Sequence, residues 1–252
     1  MSIVTFIINL DKNKDRWDSI NKELSKTDLK CYRFPATWGK DITINEEEKY
    51  LKGSKFSRSF MTDFIKGCAI SHLKVLKYFL KTNLDYILVL EDDASIVDNI
   101  TKKNISNTIK DIVSKHKNFD VIRLYHTKIL FGNYSNLAYL VSRKGAKKIL
   151  KNGCNYHIDV TYNNIKNLDI IDYKPMIFTD KGTFVSDNNG ISSNNKLKWC
   201  LNMDVFKMPI INVGIKVIYL IFFIIIILLL ILCGIIKPKK KKISNNIYNK
   251  DG

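Results

Sequence analysis

Hydrophobic positions fall into two rhythms, unbroken apolar runs and positions at helical spacing, and the two alternate along the chain. Val4 to Leu10 is a largely continuous apolar run, suited to a strand buried on both faces. Asp11 follows, then Trp17, Ile20 and Leu24 at helical spacing, which makes a β-α start. A weaker strand at Cys31 to Phe34 leads into a polar stretch, Gly39 to Ser59, read as loop with a short helix over Glu46 to Leu51. Ala69, Leu73, Leu76 and Leu80 mark one apolar face of a helix entering the strand Tyr86 to Leu90, and that strand stops at Glu91, Asp92 and Asp93. Ile100 to Lys117 reads as a helix, Phe119 to Leu124 and Leu137 to Val141 as strands, and Arg143 to Leu150 as a short helix that Gly153 stops. The βαβαβ order predicts an α/β fold, a mainly parallel sheet flanked by helices. No internal repeat is present, and neither GxGxxG nor GxxxxGK[ST] occurs, so a dinucleotide fingerprint or a P-loop is not supported.

Near the end the pattern changes. Val217 to Ile236 is 20 residues without a charge, 17 of them Val, Ile, Leu or Phe. As one helix rising about 1.5 Å per residue, the stretch would match a bilayer core of about 30 Å. The expectation is a single C-terminal transmembrane helix, with a membrane localisation and a membrane among the partners. The organisation expected is a folded domain over 1–195, a juxtamembrane linker over 196–216, the span over 217–236 and a basic tail over 237–252. Two rules leave the orientation open. A Lys-rich flank favours a cytosolic tail and a lumenal domain, whereas the lack of a cleavable signal in Met1 to Leu10 favours a cytosolic, tail-anchored domain. Sequons at Asn99, Asn104 and Asn133 weigh little, because Asn is so common in this chain.

Charge and cysteine usage narrow the classes. The 252 residues carry 41 Lys and Arg against 24 Asp and Glu, a formal charge of +17. Read as an average, that suggests a polyanion partner. Residues 237–252 hold six Lys and one Asp, however, and the other Lys are scattered without an aromatic-basic platform, which disfavours nucleic acid. Cys31, Cys68, Cys154, Cys200 and Cys233 are odd in number with no CxxC, so the spacing indicates neither a zinc site nor a disulfide scaffold.

The candidate chemistry is concentrated at Glu91, Asp92 and Asp93. Ligands of open α/β sheets sit beyond the carboxyl ends of the strands, which is where this triplet falls. Adjacent residues point to opposite sides, so Glu91 and Asp93 can share one side while Asp92 faces the other. Two carboxylates on one side are hard ligands for Mg²⁺ or Mn²⁺ bridging a diphosphate. A solvated acidic loop or a helix start is the other reading.

Several ordered blocks resemble glycosyltransferase family 25, which includes bacterial lipooligosaccharide and collagen galactosyltransferases. They are Ile-Asn-Leu-Asp at 8–11 with Arg16, Ala-Thr-Trp-Gly-Lys-Asp at 36–41, Gly-Cys-Ala-Ile-Ser-His at 67–72, and Ile-Leu-Val-Leu-Glu-Asp-Asp-Ala at 87–94. The strand-helix unit at 138–150 and His-Ile-Asp-Val at 157–160 continue the series. The resemblance implies a GT-A-like fold and a metal-dependent hexosyltransferase using Mn²⁺ or Mg²⁺. It implies transfer from a UDP-sugar, UDP-galactose or UDP-glucose, with inversion, to a hydroxyl on a glycan, lipid-linked glycan or protein. By position it makes Glu91, Asp92 and Asp93 a DxD-type motif, with Asp93 and Glu91 as metal ligands and Glu91 and Asp92 also toward the donor. It makes Asp159 the candidate base, a cap for the helix Val160 to Lys166 being the alternative. Asn9, Arg16, Ser71 and His72 become candidate donor contacts, and Ser186 with Asp187 a segment closing over the donor. A catalytically inactive binding protein of the same fold at a membrane is the alternative function.

Overall fold

The computed structural model describes residues 3–53, 58, 61–129, 132–155, 157–182, 204–207 and 214–233. Its strands are β1 (Val4–Asn9), β2 (Lys30–Pro35), β3 (Tyr86–Glu91), β4 (Ala94–Ile96), β5 (Val121–Arg123), β6 (Thr127–Ile129), β7 (Gly132–Tyr134), β8 (Ala138–Ser142), β9 (Ile170–Asp172), β10 (Phe178–Asp180), β11 (Asp204–Lys207) and β12 (Gly214–Lys216). Its helices are α1 (Lys14–Leu24), α2 (Ile44–Tyr50), α3 (Asp63–Phe79), α4 (Ile105–Lys115), α5 (Arg143–Asn152), α6 (Ile158–Asn163) and α7 (Val217–Leu232).

Six strands form the central sheet in the order β2-β1-β3-β8-β5-β9. The β2/β1, β1/β3 and β5/β9 pairs are parallel, while β8 runs antiparallel to both β3 and β5. The sheet is thus mainly parallel, as expected, with β8 reversed. All five parallel-running strands end at one edge, and β8 begins there.

Alternation along the strands divides the core into two layers. Ile87 and Val89 of β3, Phe6 and Ile8 of β1, and Tyr139 and Val141 of β8 pack with Leu73, Leu76, Phe79 and Ile149 on the face of α3 and α5. Leu88, Leu90, Ile7 and Leu140 pack with Ile20, Leu24, Ile109 and Ile112 on the face of α1 and α4. Burying each large side chain stabilises the fold by about 1.5–3 kcal/mol, so continuous apolar strands require helices on both sides. Three helix starts carry side-chain caps: the Thr62 side chain accepts from the Ile65 N–H and Ser142 from the Gly145 N–H, and Thr43 forms a reciprocal box with Glu46. Gly153 closes α5 at φ +65°, a conformation that favours glycine.

The C-terminal expectation is corrected. Residue counting treated 217–236 as one helix, but α7 takes only the 16 residues Val217–Leu232, following directly on β12 and giving way to a turn at Cys233. At about 1.5 Å per residue it reaches about 24 Å, short of a bilayer core. Among the described residues no helix is long and apolar enough to cross a membrane. The single-pass anchor therefore falls, and with it the membrane localisation and membrane partner that rested on it.

Candidate active site

The carboxyl edge of the sheet collects the chemistry. Asn9 ends β1, Glu91 ends β3, and the segment Ala36 to Gly39 leaves β2 and packs on the first turns of α3. That packing is close: a Cβ on Gly67 would lie 2.7 Å from the Thr37 carbonyl oxygen, and one on Gly39 would lie 1.7 Å from that of Asp63. Ser71 fastens the same contact, accepting from the Thr37 N–H at 2.8 Å and donating to the Gly67 carbonyl at 2.7 Å. Between these parts lies a cleft whose walls include Arg16, Trp38, Cys68, His72, Glu91 and Asp93.

The three acids are treated unequally. Asp92 is buried and held on both oxygens, by the Asn9 amide at 2.7 Å and by the Arg16 guanidinium at 2.7 Å. Glu91 accepts from His72 Nε2 at 3.1 Å. Asp93 has one oxygen 3.4 Å from Arg16, while its Oδ1 is buried with no hydrogen-bond partner. Burial, then the charge of Glu91, pushes the Asp93 carboxyl up to about 8 from an ordinary 3.8, with Arg16 opposing. A buried, unpartnered carboxylate oxygen is costly, and a cation beside it removes the cost. The hard oxygens of Asp93 and Glu91 therefore suit Mg²⁺ or Mn²⁺.

Behind Glu91 runs a buried polar string. His72 Nδ1 lies 3.0 Å from the Tyr139 hydroxyl, which lies 3.4 Å from that of Tyr162. Burial first, then the neighbouring phenol, lifts the Tyr139 hydroxyl well above its usual range. With Nε2–H donated to Glu91, Nδ1 accepts from Tyr139, and one tautomer satisfies both contacts. Burial, then Glu91 and Asp159, raises the Cys68 thiol.

Asp159 lies in the first turn of α6, which begins at Ile158 with His157 in the capping position, so the alternative reading of Asp159 as a cap does not hold. Its carboxylate lies 3.3 Å from His157 Nδ1. Burial raises it, but His157, and beyond it His72 and Arg123, outweigh that and hold it below the usual carboxylate value. Burial lowers His157 in turn, and the Asp159 charge more than restores it, leaving it raised.

The expected residues thus divide. Arg16, His72, Glu91, Asp92 and Asp93 converge on the cleft. Asn9 is fully engaged within the protein, donating to Asp92 and to the Asn13 carbonyl and accepting from Arg33 at 2.8 Å. Ser71 also lines the cleft, but its hydroxyl is spent on the loop-helix contact. Asp159 is not among the cleft-lining residues, although its charge is felt at Cys68. Ser186 and Asp187 lie outside the described residues. Two cleft residues and one pair buried behind the cleft were missed: Cys68, whose i, i+4 spacing from His72 was the available signal; Trp38, under Lys12 Nζ at 3.6 Å; and the Tyr139–Tyr162 pair, which no local pattern reveals.

The family model described as glycosyltransferase family 25 (LPS biosynthesis protein) matches residues 2–134, the part that builds the acid triplet and the cleft. Procollagen galactosyltransferase 1 of Danio rerio is 24% identical over 169 residues, 58% of this chain and 28% of that protein. A glycosyltransferase 25 family member of Aedes aegypti is 26% identical over 168 residues, 58% of this chain and 27% of its own length. The chain therefore spans somewhat over a quarter of these relatives. A crystal structure of a glycosyltransferase involved in the glycosylation of the major capsid of PBCV-1 superposes with a TM-score of 0.40 at 12% identity, covering 73% of this chain and 95% of that one. With the match running through more than half of its length, this chain belongs to glycosyltransferase family 25.

Proposed function

We propose that the chain transfers a hexose from a UDP-sugar to a hydroxyl of a glycan or protein acceptor, with inversion at the anomeric carbon and with a divalent metal. Galactose is the first sugar to test, because the relatives' names specify it. The observation that carries the reading is the unequal triplet. Asp92 is consumed in holding the edge together, so Asp93, with its unpartnered Oδ1, and Glu91 are left to face the cleft.

In this reading Asp93 and Glu91 hold Mn²⁺ or Mg²⁺. When bound, the ion supplies positive charge against that building on the departing diphosphate. Arg16 keeps the triplet aligned through Asp92 and Asp93. Trp38, with Lys12 Nζ over its ring at 3.6 Å, offers an aromatic wall for the base or ribose. Asp159 is the proposed base, taking the acceptor proton as the new bond forms. His157, and more distantly Arg123, favour its ionised form, so it accepts without first losing a proton.

The test is release of UDP and transfer of sugar by the full chain, given UDP-galactose or UDP-glucose with Mn²⁺ and a panel of hydroxyl acceptors. Turnover that is lost in Asp93→Asn supports the reading. Turnover by Asp93→Asn at the parent rate overturns the role of Asp93. Absence of turnover with every UDP-sugar, while UDP still binds, favours the catalytically inactive binding protein.

A further inference from the structure

Cys68 and His72 sit four residues apart on α3 and so share one helix face. The Glu91 carboxylate, arriving from β3, completes a set in which one ligand atom of each residue lies within 4.8 Å of the others. His72 Nε2 and Glu91 Oε1 are 3.1 Å apart, close to the ligand-ligand separation of a tetrahedral site built on bonds of about 2.0–2.1 Å. We infer that Cys68 Sγ, His72 Nε2 and Glu91 form a three-ligand site for Zn²⁺, open to the cleft.

Three features beyond proximity support this. First, the ligand set is chemically distinct from the Asp93 position: thiolate and imidazole select Zn²⁺ over Mn²⁺ or Mg²⁺, which prefer carboxylate oxygens alone. Second, an outer partner is in place. With Nε2 on the ion, the imidazole proton moves to Nδ1 and is donated to the Tyr139 hydroxyl, already 3.0 Å away. The other contact of the present tautomer, Nε2–H to Glu91, is the one the ion replaces. Third, an entry path exists, because all three residues line the cleft. Three protein ligands leave a fourth position for water or a ligand. Cys68 binds as thiolate and releases its proton to solvent. Because Glu91 is common to both ligand sets, Zn²⁺ draws it away from the hard-metal position and inhibits transfer. That consequence alone rests on the transferase reading above.

Co²⁺ titration of the full chain tests the site without any activity measurement. The expected result is a thiolate-to-cobalt charge-transfer absorption that saturates at one equivalent, is abolished by Zn²⁺ and is absent in Cys68→Ser. Because Cys68→Ser could disturb the packing of α3, Glu91→Gln and Tyr139→Phe are titrated alongside it. Each keeps the thiolate band and weakens Co²⁺ binding by about 10-fold or more. In Asp93→Asn the thiolate band persists, which separates this site from the hard-metal position. A wild-type chain with no thiolate band, a band that survives in Cys68→Ser, or an undiminished affinity in Glu91→Gln overturns the inference. If the band forms while no UDP-sugar is turned over, the zinc site stands and the transferase reading fails.

Discussion

The two edges of the central sheet each hold a carboxylate with one buried oxygen that has no hydrogen-bond partner, and they differ in the cations that surround it. At the amino edge, Asp120 stands before β5 beneath the start of α5, fully buried. Lys148 and the Asp169 N–H, the latter at 2.8 Å, both donate to Oδ2, while Oδ1 has no hydrogen-bond partner and only the Lys144 ammonium 3.6 Å away. Its carbonyl also accepts from the Ser142 N–H at 3.0 Å, which joins β5, β8 and α5. At the carboxyl edge, Asp93 keeps an oxygen without a partner and a carboxyl raised to about 8. A buried carboxylate set between two lysines fastens elements together, whereas one with only Arg16 at 3.4 Å and a raised carboxyl gains most from a cation and costs stability until it arrives.

Replacing the two carboxylates in turn sharpens that contrast. The largest effect expected is on turnover: Asp93→Asn lowers kcat by about 10²–10⁴, since charge stabilisation at a leaving group contributes on that scale, and UDP release measures it. Asp120→Ala is expected to cost about 3 kcal/mol of stability, because it strands two lysines and a backbone N–H, with UDP affinity unchanged in the folded fraction. Urea denaturation combined with UDP titration checks this, and a Kd shift in Asp120→Ala would break the division between the edges.

Asp93→Asn also carries an expectation of opposite sign. Between pH 3.8 and about 8 the native chain retains at Asp93 a proton that the unfolded chain has released. Stability contributed by the protonated form is therefore lost as pH rises through that window. The Asn variant cannot ionise, so metal-free Asp93→Asn should exceed the parent by about 1–3 kcal/mol at pH 9 and by less at pH 6. Urea midpoints at the two pH values decide it, and equal gains at both would detach the effect from ionisation.

Gly67→Ala probes the wall between the edges. Its Cβ would meet the Thr37 carbonyl at 2.7 Å, so about 1–3 kcal/mol of overpacking is expected, with weaker UDP binding as Trp38 is displaced. The smallest effect belongs to Ser142→Ala, where loss of the α5 cap costs about 1 kcal/mol and leaves UDP binding unaltered. Thermal denaturation with and without UDP separates the two variants.

Much of this arrangement was legible beforehand. The strands around Val4 and Tyr86 declare themselves by uninterrupted apolar runs, the helix through Leu73 and Leu76 by its spacing, and the acids by falling where β3 ends. Strand direction was not legible: β8 is as apolar as its parallel neighbours, and nothing local marks it as reversed. Neither was the difference between Asp92 and Asp93, which comes from Asn9 and Arg16 some 80 residues away in the chain. The short pairs β4/β10 and β6/β7 have three residues per strand, too few for a period to emerge. The cysteine count could not place Cys68 in the cleft, because its neighbours there are a histidine one helical turn away and a glutamate from another element. The terminal apolar run misled because hydropathy counts residues, whereas crossing a bilayer depends on how many of them are helical.

The reversal of β8 has a consequence for how such a site can diversify. The residues entering β8, not those leaving it, stand beside the acids, and the Leu137 carbonyl accepts directly from the Glu91 N–H at 2.8 Å. Those residues arrive from the β6/β7 hairpin, which forms its own two-stranded sheet and is fastened to the central one through Asn133, whose carbonyl accepts from Arg123 at 3.0 Å and whose amide donates to Asp172 at 2.9 Å. A hairpin of another length can be substituted there without shifting the register of β1, β2 and β3. The acid-bearing half of the edge can thus stay constant while the opposite bank is rebuilt.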